Sequence, residues 1–168
     1  MTERLGAGGF THLDEQGQAR MVDVSGKDVT VRTATATGRV QVSAEVIRLL
    51  RSGGVPKGDA LAVARIAGIQ AAKRTPDLVP LCHPLAIHGV TVDLDVRDDH
   101  VAIEATVRTA DRTGVEMEAL TCVAVAALAL VDMVKAVDPA TVIGDIALQE
   151  KSGGRRGHWS RDARTAAP

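Results

Sequence analysis

The stretch TGVEMEALTCVAVAALALVDMVKAV, Thr113 to Val137, reads as one long helix that is aliphatic on nearly every side. A helix of that kind belongs in a protein core. It nevertheless carries Glu116 and Glu118 near its start and Asp132 and Lys135 near its end. Ionised groups on a buried helix are costly unless they are paired or have a task. Asp132 and Lys135 stand three apart, as helix-surface neighbours do, and are expected to form an ion pair within an apolar stripe. Such a pair loses hydration and needs good geometry to offset the loss. A desolvated lysine also gives up its proton more readily, which suits proton transfer. Glu116 and Glu118 are two apart and point about 200° away from each other, which disfavours a twin-carboxylate acid–base pair. A first-turn acid complements the helix dipole, and that is reason enough for Glu116. Glu118 precedes Asp132 by fourteen residues, so both return to nearly one face about 21 Å apart. One small reacting group cannot touch both. Either the substrate is long, or neighbouring subunits complete each site.

Working outward from that helix, Val29 to Val42 alternates Thr and Val as a strand does. Ser43 caps a short helix, SAEVIRLLRS, that ends at Gly53-Gly54. Asp59 caps a second, DALAVARIAGIQAAKR, that stops before Thr75-Pro76. A proline-studded loop, PDLVPLCHPLAIHG, follows. Thr91–Arg97 and Val101–Arg108 alternate as a hairpin turning at Asp98-Asp99, and Val142–Leu148 is a last strand after the long helix. The order strand, helix pair, strand, strand, helix, strand is a split βαβ pattern. It gives an α+β, ferredoxin-like fold: an antiparallel sheet with helices packed on one face. The sheet's other face is expected to need cover, and hence a second copy of the chain. Residues 1–28 read as a flexible N-terminal arm and 151–168 as a Gly/Arg-rich tail on one domain spanning 1–168.

At 168 residues the chain is long enough to bury a core, and its 45% apolar and 24% charged composition is that of a soluble globular protein. One Phe, one Trp and no Tyr leave no platform for stacking bases, and a net charge of −1 argues against a nucleic-acid partner. The longest clean apolar run, Val123–Val131, is interrupted by Asp132, so no membrane span is expected. Cys82 and Cys122 make no CxxC and no disulfide framework, which points to the cytoplasm.

Several residues outside the helix have the composition of a site. His83 lies between prolines in a loop, where binding residues concentrate. No metal is expected, because the other histidines and Cys122 have no ligand spacing around Cys82-His83. Adjacent side chains diverge, which disfavours Cys82 as a nucleophile activated by His83. Lys57 stands in a Gly/Pro loop at a helix start. Lys73 and Arg74 end that helix, where cations complement its dipole. Lys151-Ser152-Gly153-Gly154-Arg155-Arg156-Gly157 combines glycines with cations, as phosphate-wrapping loops do, without being a Walker A sequence. Together the cations point to a small polyanionic ligand.

The segments MVDVSGKDVTVR (21–32), PKGDALAVARIAGIQAAKRTPDLVPLCHPL (56–85), DRTGVEMEALTCVAVAALALVDMVKAV (111–137) and KSGGRRG (151–157) closely resemble the MoaC family of molybdenum cofactor biosynthesis. The resemblance implies a phosphorus–oxygen lyase. Such an enzyme converts 3′,8-cyclo-7,8-dihydroguanosine triphosphate, the product of a preceding radical GTP cyclase, into cyclic pyranopterin monophosphate with release of diphosphate. It implies Lys57, Asp132 and Lys135 as the catalytic cluster. It implies Leu81, Cys82, His83, Glu116, Met117 and Glu118 as substrate-binding positions, with Lys27, Arg32, Lys73, Arg74 and Lys151 as further contacts to substrate or phosphate. It implies no cofactor; Mg²⁺ arriving with the triphosphate is compatible with the pattern and not indicated by it. It further implies a homohexamer, a trimer of dimers, with the site at a subunit interface. A non-catalytic nucleotide sensor is the rival reading, since ferredoxin-like oligomers also serve in regulation.

Overall fold

The computed structural model describes residues 12–14, 16–155 and 157–161. Its elements are β1 (Thr30–Gln41), α1 (Ala44–Ser52), α2 (Ala60–Ala72), α3 (Thr75–Leu78), β2 (Ile87–Val96), β3 (His100–Asp111), α4 (Glu116–Val134), β4 (Val142–Ser152) and β5 (Trp159–Ser160). The strands form one antiparallel sheet in the order β2-β3-β1-β4-β5. Its first four strands and the two helical crossovers are the expected ferredoxin-like arrangement.

The periodicity of β1 explains its central place. Ala34, Ala36 and Val40 are fully buried on one side, opposite Val101, Ile103, Ala105 and Val107 of β3. That side meets α4, whose Ala119, Cys122, Val123, Ala126, Ala127 and Leu130 are wholly enclosed. Burying a side chain the size of Leu130 stabilises the fold by about 2 kcal/mol. α4 is long and apolar enough to cross a membrane by length and composition, but here its inner face packs on the sheet and its flank on α2. The two helices meet through small residues. A Cβ added at Gly68 of α2 would lie 2.9 Å from the Cys122 carbonyl oxygen and 3.1 Å from the Ala126 Cβ.

The helix caps follow the sequence. The Ser43 hydroxyl accepts from the Val46 N–H and the Asp59 carboxylate from the Ala62 N–H, while Gly53 takes a left-handed conformation after α1. Asp138 stops the chain after α4 and also accepts from the Ser43 N–H at 2.8 Å, tying α1 to the end of α4. Thr75-Pro76 opens the one-turn helix α3 rather than a loop, since proline is favoured in a first turn. The hairpin strands start earlier and run longer than the alternation marks. β4 continues through Lys151 and Ser152, so the Gly/Arg loop begins only at Gly153, and Trp159 pairs back on Lys151. Of the N-terminal segment, residues 1–11 and 15 lie outside the described residues. Leu13 bridges Ala19 in antiparallel fashion, and the Asp14 carboxylate accepts from the Gln16 and Gln18 N–H groups.

The sheet's second face corrects one expectation. β1 turns Thr33, Thr35, Thr37, Arg39 and Gln41 to it, and β3 turns Glu104, Thr106 and Arg108. Thr35 and Thr106 share a hydrogen bond of 2.9 Å, and Gln149 donates to Thr37. A face of hydroxyls and charges needs no apolar cover. Exposed apolar side chains lie on the helix layer, with Ile66 of α2 61% and Leu128 of α4 59% exposed, and also on the strands, with Val31 of β1 and Val142 of β4 more than half exposed. At the far side, β4 is interrupted by register shifts against β1, and Asp145 takes a left-handed conformation (φ 54°) and pairs with Arg39 at 2.7 Å. The outer edge of β4 before Leu148 has no strand partner among the described residues.

Gly68 offers a test of the α2–α4 contact. Alanine in mid-helix gains about 1 kcal/mol over glycine. A methyl pressed on a backbone carbonyl costs about 1–3 kcal/mol, because neither helix can retreat cheaply. Overpacking therefore wins, and Gly68→Ala is expected to lower stability by about 1 kcal/mol in urea unfolding. A more stable variant would show that the helices are not held that closely.

Candidate active site

An open cavity of about 780 Å³ lies where the ends of β1, β3 and β4 meet the start of α4 and the 81–85 loop. It has the size of a small-molecule site. Nine residues singled out from the sequence line it: Lys27, Arg32, Leu81, Cys82, His83, Glu116, Met117, Glu118 and Lys151.

The fold makes this wall strongly cationic and fixes its charges. Arg32 leaves the start of β1 and donates from Nε to the Asp111 carbonyl at 2.9 Å. Arg112, one residue past β3, donates from Nε to the Lys27 carbonyl at 3.0 Å. Each guanidinium is thus anchored through Nε, which leaves its terminal nitrogens as a fork suited to a phosphate. The turn after β4 completes the wall. Gly153 and Gly154 both have positive φ, and a Cβ on Gly154 would collide with the Arg32 guanidinium. Lys151, on the last turn-facing stretch of β4, pairs with Glu116 at 2.6 Å, both side chains about a quarter exposed. The carboxylate holds that ammonium at the cavity wall.

Behind the cations lies a different environment. Glu118 is only 3% exposed. Burial, reinforced by the charge of Glu116 and partly offset by a backbone hydrogen bond, raises its carboxyl from 4.5 to about 7. It is therefore a carboxyl that can hold or release a proton near neutrality. Burial also raises the Cys82 thiol, helped by Glu118. Cys82 stays protonated at neutral pH.

The second cluster lies at the opposite end of α4. The Asp132 carboxylate accepts from Lys135 Nζ at 2.7 Å and from Lys57 Nζ at 3.0 Å. Lys57 also donates to the Asp132 carbonyl at 2.8 Å. That carbonyl is one of the unpaired ones in the last helical turn, so Lys57 caps α4 as well as joining the cluster. Hydrogen bonds from Lys135 and then Lys57 hold the Asp132 carboxyl below its usual range. Asp132 is ionised at neutral pH and sits between two cations.

Two expectations are corrected here. The Asp132–Lys135 pair is not desolvated within the chain: Lys57, Asp132 and Lys135 are 42%, 56% and 58% exposed. Position 132 falls on the outer stripe of α4 with Leu128, and only positions such as Leu130 and Met133 face the core. Glu118 and Asp132 do not share a face either, since Glu118 points inward and Asp132 outward. Fourteen residues fall about forty degrees short of whole turns, and at the edge of the buried stripe that offset is enough to separate them. Lys73 caps the end of α2 and Arg74 precedes α3; both are exposed, and neither lines the cavity. Arg155, from the Gly/Arg loop marked in the sequence, lines it too, while Asp23 and Arg112 line it and were not singled out. For Arg112 a signal existed: DRTG places a cation between a strand and the principal helix. Among the described residues no group of three or more His, Cys, Asp or Glu is placed to hold a metal.

Glu118 makes stability depend on pH. Between about 4.5 and 7 the folded chain binds a proton that the unfolded chain has released, so stability falls as pH rises through that window. The whole effect is roughly 3 kcal/mol. Glu118→Gln should abolish it: the variant gains on the parent in urea unfolding between pH 5 and pH 8. Parallel pH profiles for the two proteins would contradict a buried, protonatable Glu118.

Comparison with known proteins places this geometry in a family. The sequence is 70% identical over 152 residues to the cyclic pyranopterin monophosphate synthase of Streptomyces avermitilis, covering 90% of this chain and 89% of the relative. It is 70% identical to that of a Nocardioides species, covering 90% of this chain and 95% of the relative. It is 59% identical to cyclic pyranopterin monophosphate synthase 2 of Mycobacterium tuberculosis, covering 92% and 93%. A family model described as MoaC family matches residues 21–154, a span that holds both clusters and nearly all of the cavity wall. On these matches the chain belongs to the MoaC family.

Proposed function

We infer that this chain is a cyclic pyranopterin monophosphate synthase: a lyase of molybdenum cofactor biosynthesis acting on a nucleotide-derived substrate. The observation that carries the reading is the 70% identity to relatives of that name, over nine-tenths of the chain. The substrate is 3′,8-cyclo-7,8-dihydroguanosine triphosphate, supplied by a radical GTP cyclase, and diphosphate is released. The cavity chemistry supports this. Lys27, Arg32, Arg112, Lys151 and Arg155 line one wall, a charge pattern suited to a triphosphate. His83 and Glu118, whose carboxyl is raised to about 7, lie beside it and offer hydrogen bonds to a heterocycle.

The conversion opens the purine's five-membered ring, forms the pyran-fused pterin and closes a cyclic phosphate. Each stage moves protons. Lys57 and Lys135 carry them in this reading, and Asp132 orients both ammonium groups. The chain needs no cofactor of its own, and any Mg²⁺ accompanies the triphosphate. Glu118 and Asp132 stand about 21 Å apart along α4, so one chain cannot bring both to one reacting centre. A neighbouring subunit's Lys57–Asp132–Lys135 cluster therefore completes each cavity, in a hexamer built as a trimer of dimers. The exposed Ile66 and Leu128 on the helix layer support such a contact, and burying the outer stripe of α4 would desolvate the lysines. Lys73 and Arg74 reach substrate only across that contact. The working location is the cytoplasm.

Purified protein supplied with the radical cyclase product should release diphosphate and form the pterin. A nucleotide sensor would bind and release nothing. Lys135→Ala should cut turnover at least a hundredfold, in the usual range for loss of an acid–base group, while the protein still sediments as six copies. Near-normal turnover would remove Lys135 from the chemistry.

A further inference from the structure

The cavity wall that carries Lys27 is not part of the sheet. Residues 22–27 border the cavity as a strap, through Val22, Asp23, Val24 and Lys27, with no strand or helix of their own. The strap is shaped by two local turns. The Asp23 carboxylate accepts from the Ser25 N–H at 2.8 Å, and the Lys27 N–H donates to the Val24 carbonyl at 3.0 Å. Neither turn attaches it to the body. Among the described residues its hydrogen bonds to the body come from two side chains, one at each end: His83 Nε2 lies 2.7 Å from the Val22 carbonyl, and Arg112 Nε donates to the Lys27 carbonyl at 3.0 Å. A carbonyl only accepts, so Nε2 of His83 must carry the hydrogen, whatever the charge of the ring.

We propose that His83 is a positioning residue as well as a cavity residue: with Arg112 it clasps the 22–27 strap at the cavity's border and so presents the Lys27 ammonium to the substrate's phosphates. The imidazole acts through the strap it holds, and one ring nitrogen is committed to that task. Without the clasp the strap's two turns are no longer held against the body and open more often, exposing the Ser25 and Lys27 N–H groups, and Lys27 becomes one cation on a loose loop. This deepens the triphosphate reading of the cavity and rests on it for the binding readout alone.

The test uses the full-length protein, amide exchange without ligand, and titration with inorganic tripolyphosphate. In His83→Ala the Ser25 and Lys27 amides should exchange about tenfold faster, the factor one hydrogen bond supports, with α4 amides unchanged. Tripolyphosphate binding should weaken by a similar factor. His83→Gln, whose amide N–H can reach the same carbonyl, should recover most of both. Weakened binding in His83→Ala with unchanged exchange would mean that the ring only touches ligand, and would overturn the clasp. Unchanged exchange and unchanged binding would overturn it as well. A parent protein that binds no tripolyphosphate would count against the triphosphate reading, while the exchange comparison would still decide the clasp.

Discussion

Everything described here depends on the close seating of α4 between the sheet and α2. Ala34, Ala36 and Val40 of β1 on one side and the small residues of α2 on the other leave room for a helix and nothing more. Because the middle of α4 is enclosed, its two ends become fixed points. One end places Glu116 and Glu118 at the mouths of three strands; the other places Asp132 beside the loop that carries Lys57. A helix free to slide or tilt would move both sites at once. The aliphatic composition that made the segment conspicuous is thus what makes its charges useful.

The two ends use charge differently. At the start of α4, burial sets the chemistry: Glu118 is pushed into the neutral range by lack of water, while Arg32 and Arg112 are held through Nε and Lys151 by Glu116. At the far end none of the three charged groups is buried within the chain, and pairing sets the chemistry, with Asp132 kept ionised by two lysines. Each half lacks what the other has. The first has a shaped, charged cavity, and the second has the lysines. That complementarity, rather than the sheet's second face, is the physical argument for assembly.

The fold was legible because its signals are local. Alternation marked the strands, Ser43 and Asp59 marked helix starts, and the helix pair between β1 and β2 left only one simple topology. What was illegible depended on side-chain direction across long distances. Alternating Thr and Ala in β1 does imply a polar second face, but that reading requires knowing which face the helices take. The sequence placed Glu118 and Asp132 on one side of a helix by arithmetic, and a small rotation sent them to opposite environments. Lys73 and Arg74 are cations like Arg32 and Arg112 in composition; only the topology brings the last two to the cavity. Arg112 earns its position from the hydrogen bond to Lys27, a contact between residues eighty-five apart.

The kink in β4 has a consequence far from the chemistry. An unpaired strand edge is a template on which another chain can add. The left-handed Asp145, its ion pair with Arg39 and the register shifts beside it break that edge into pieces too short and too twisted to extend. At the opposite border, β2 places Asp93 and Asp95 among its exposed positions. Both rims of the sheet therefore refuse strand-to-strand growth. A chain that leaves Ile66 and Leu128 exposed on its helix layer makes its sheet borders inhospitable to a further strand.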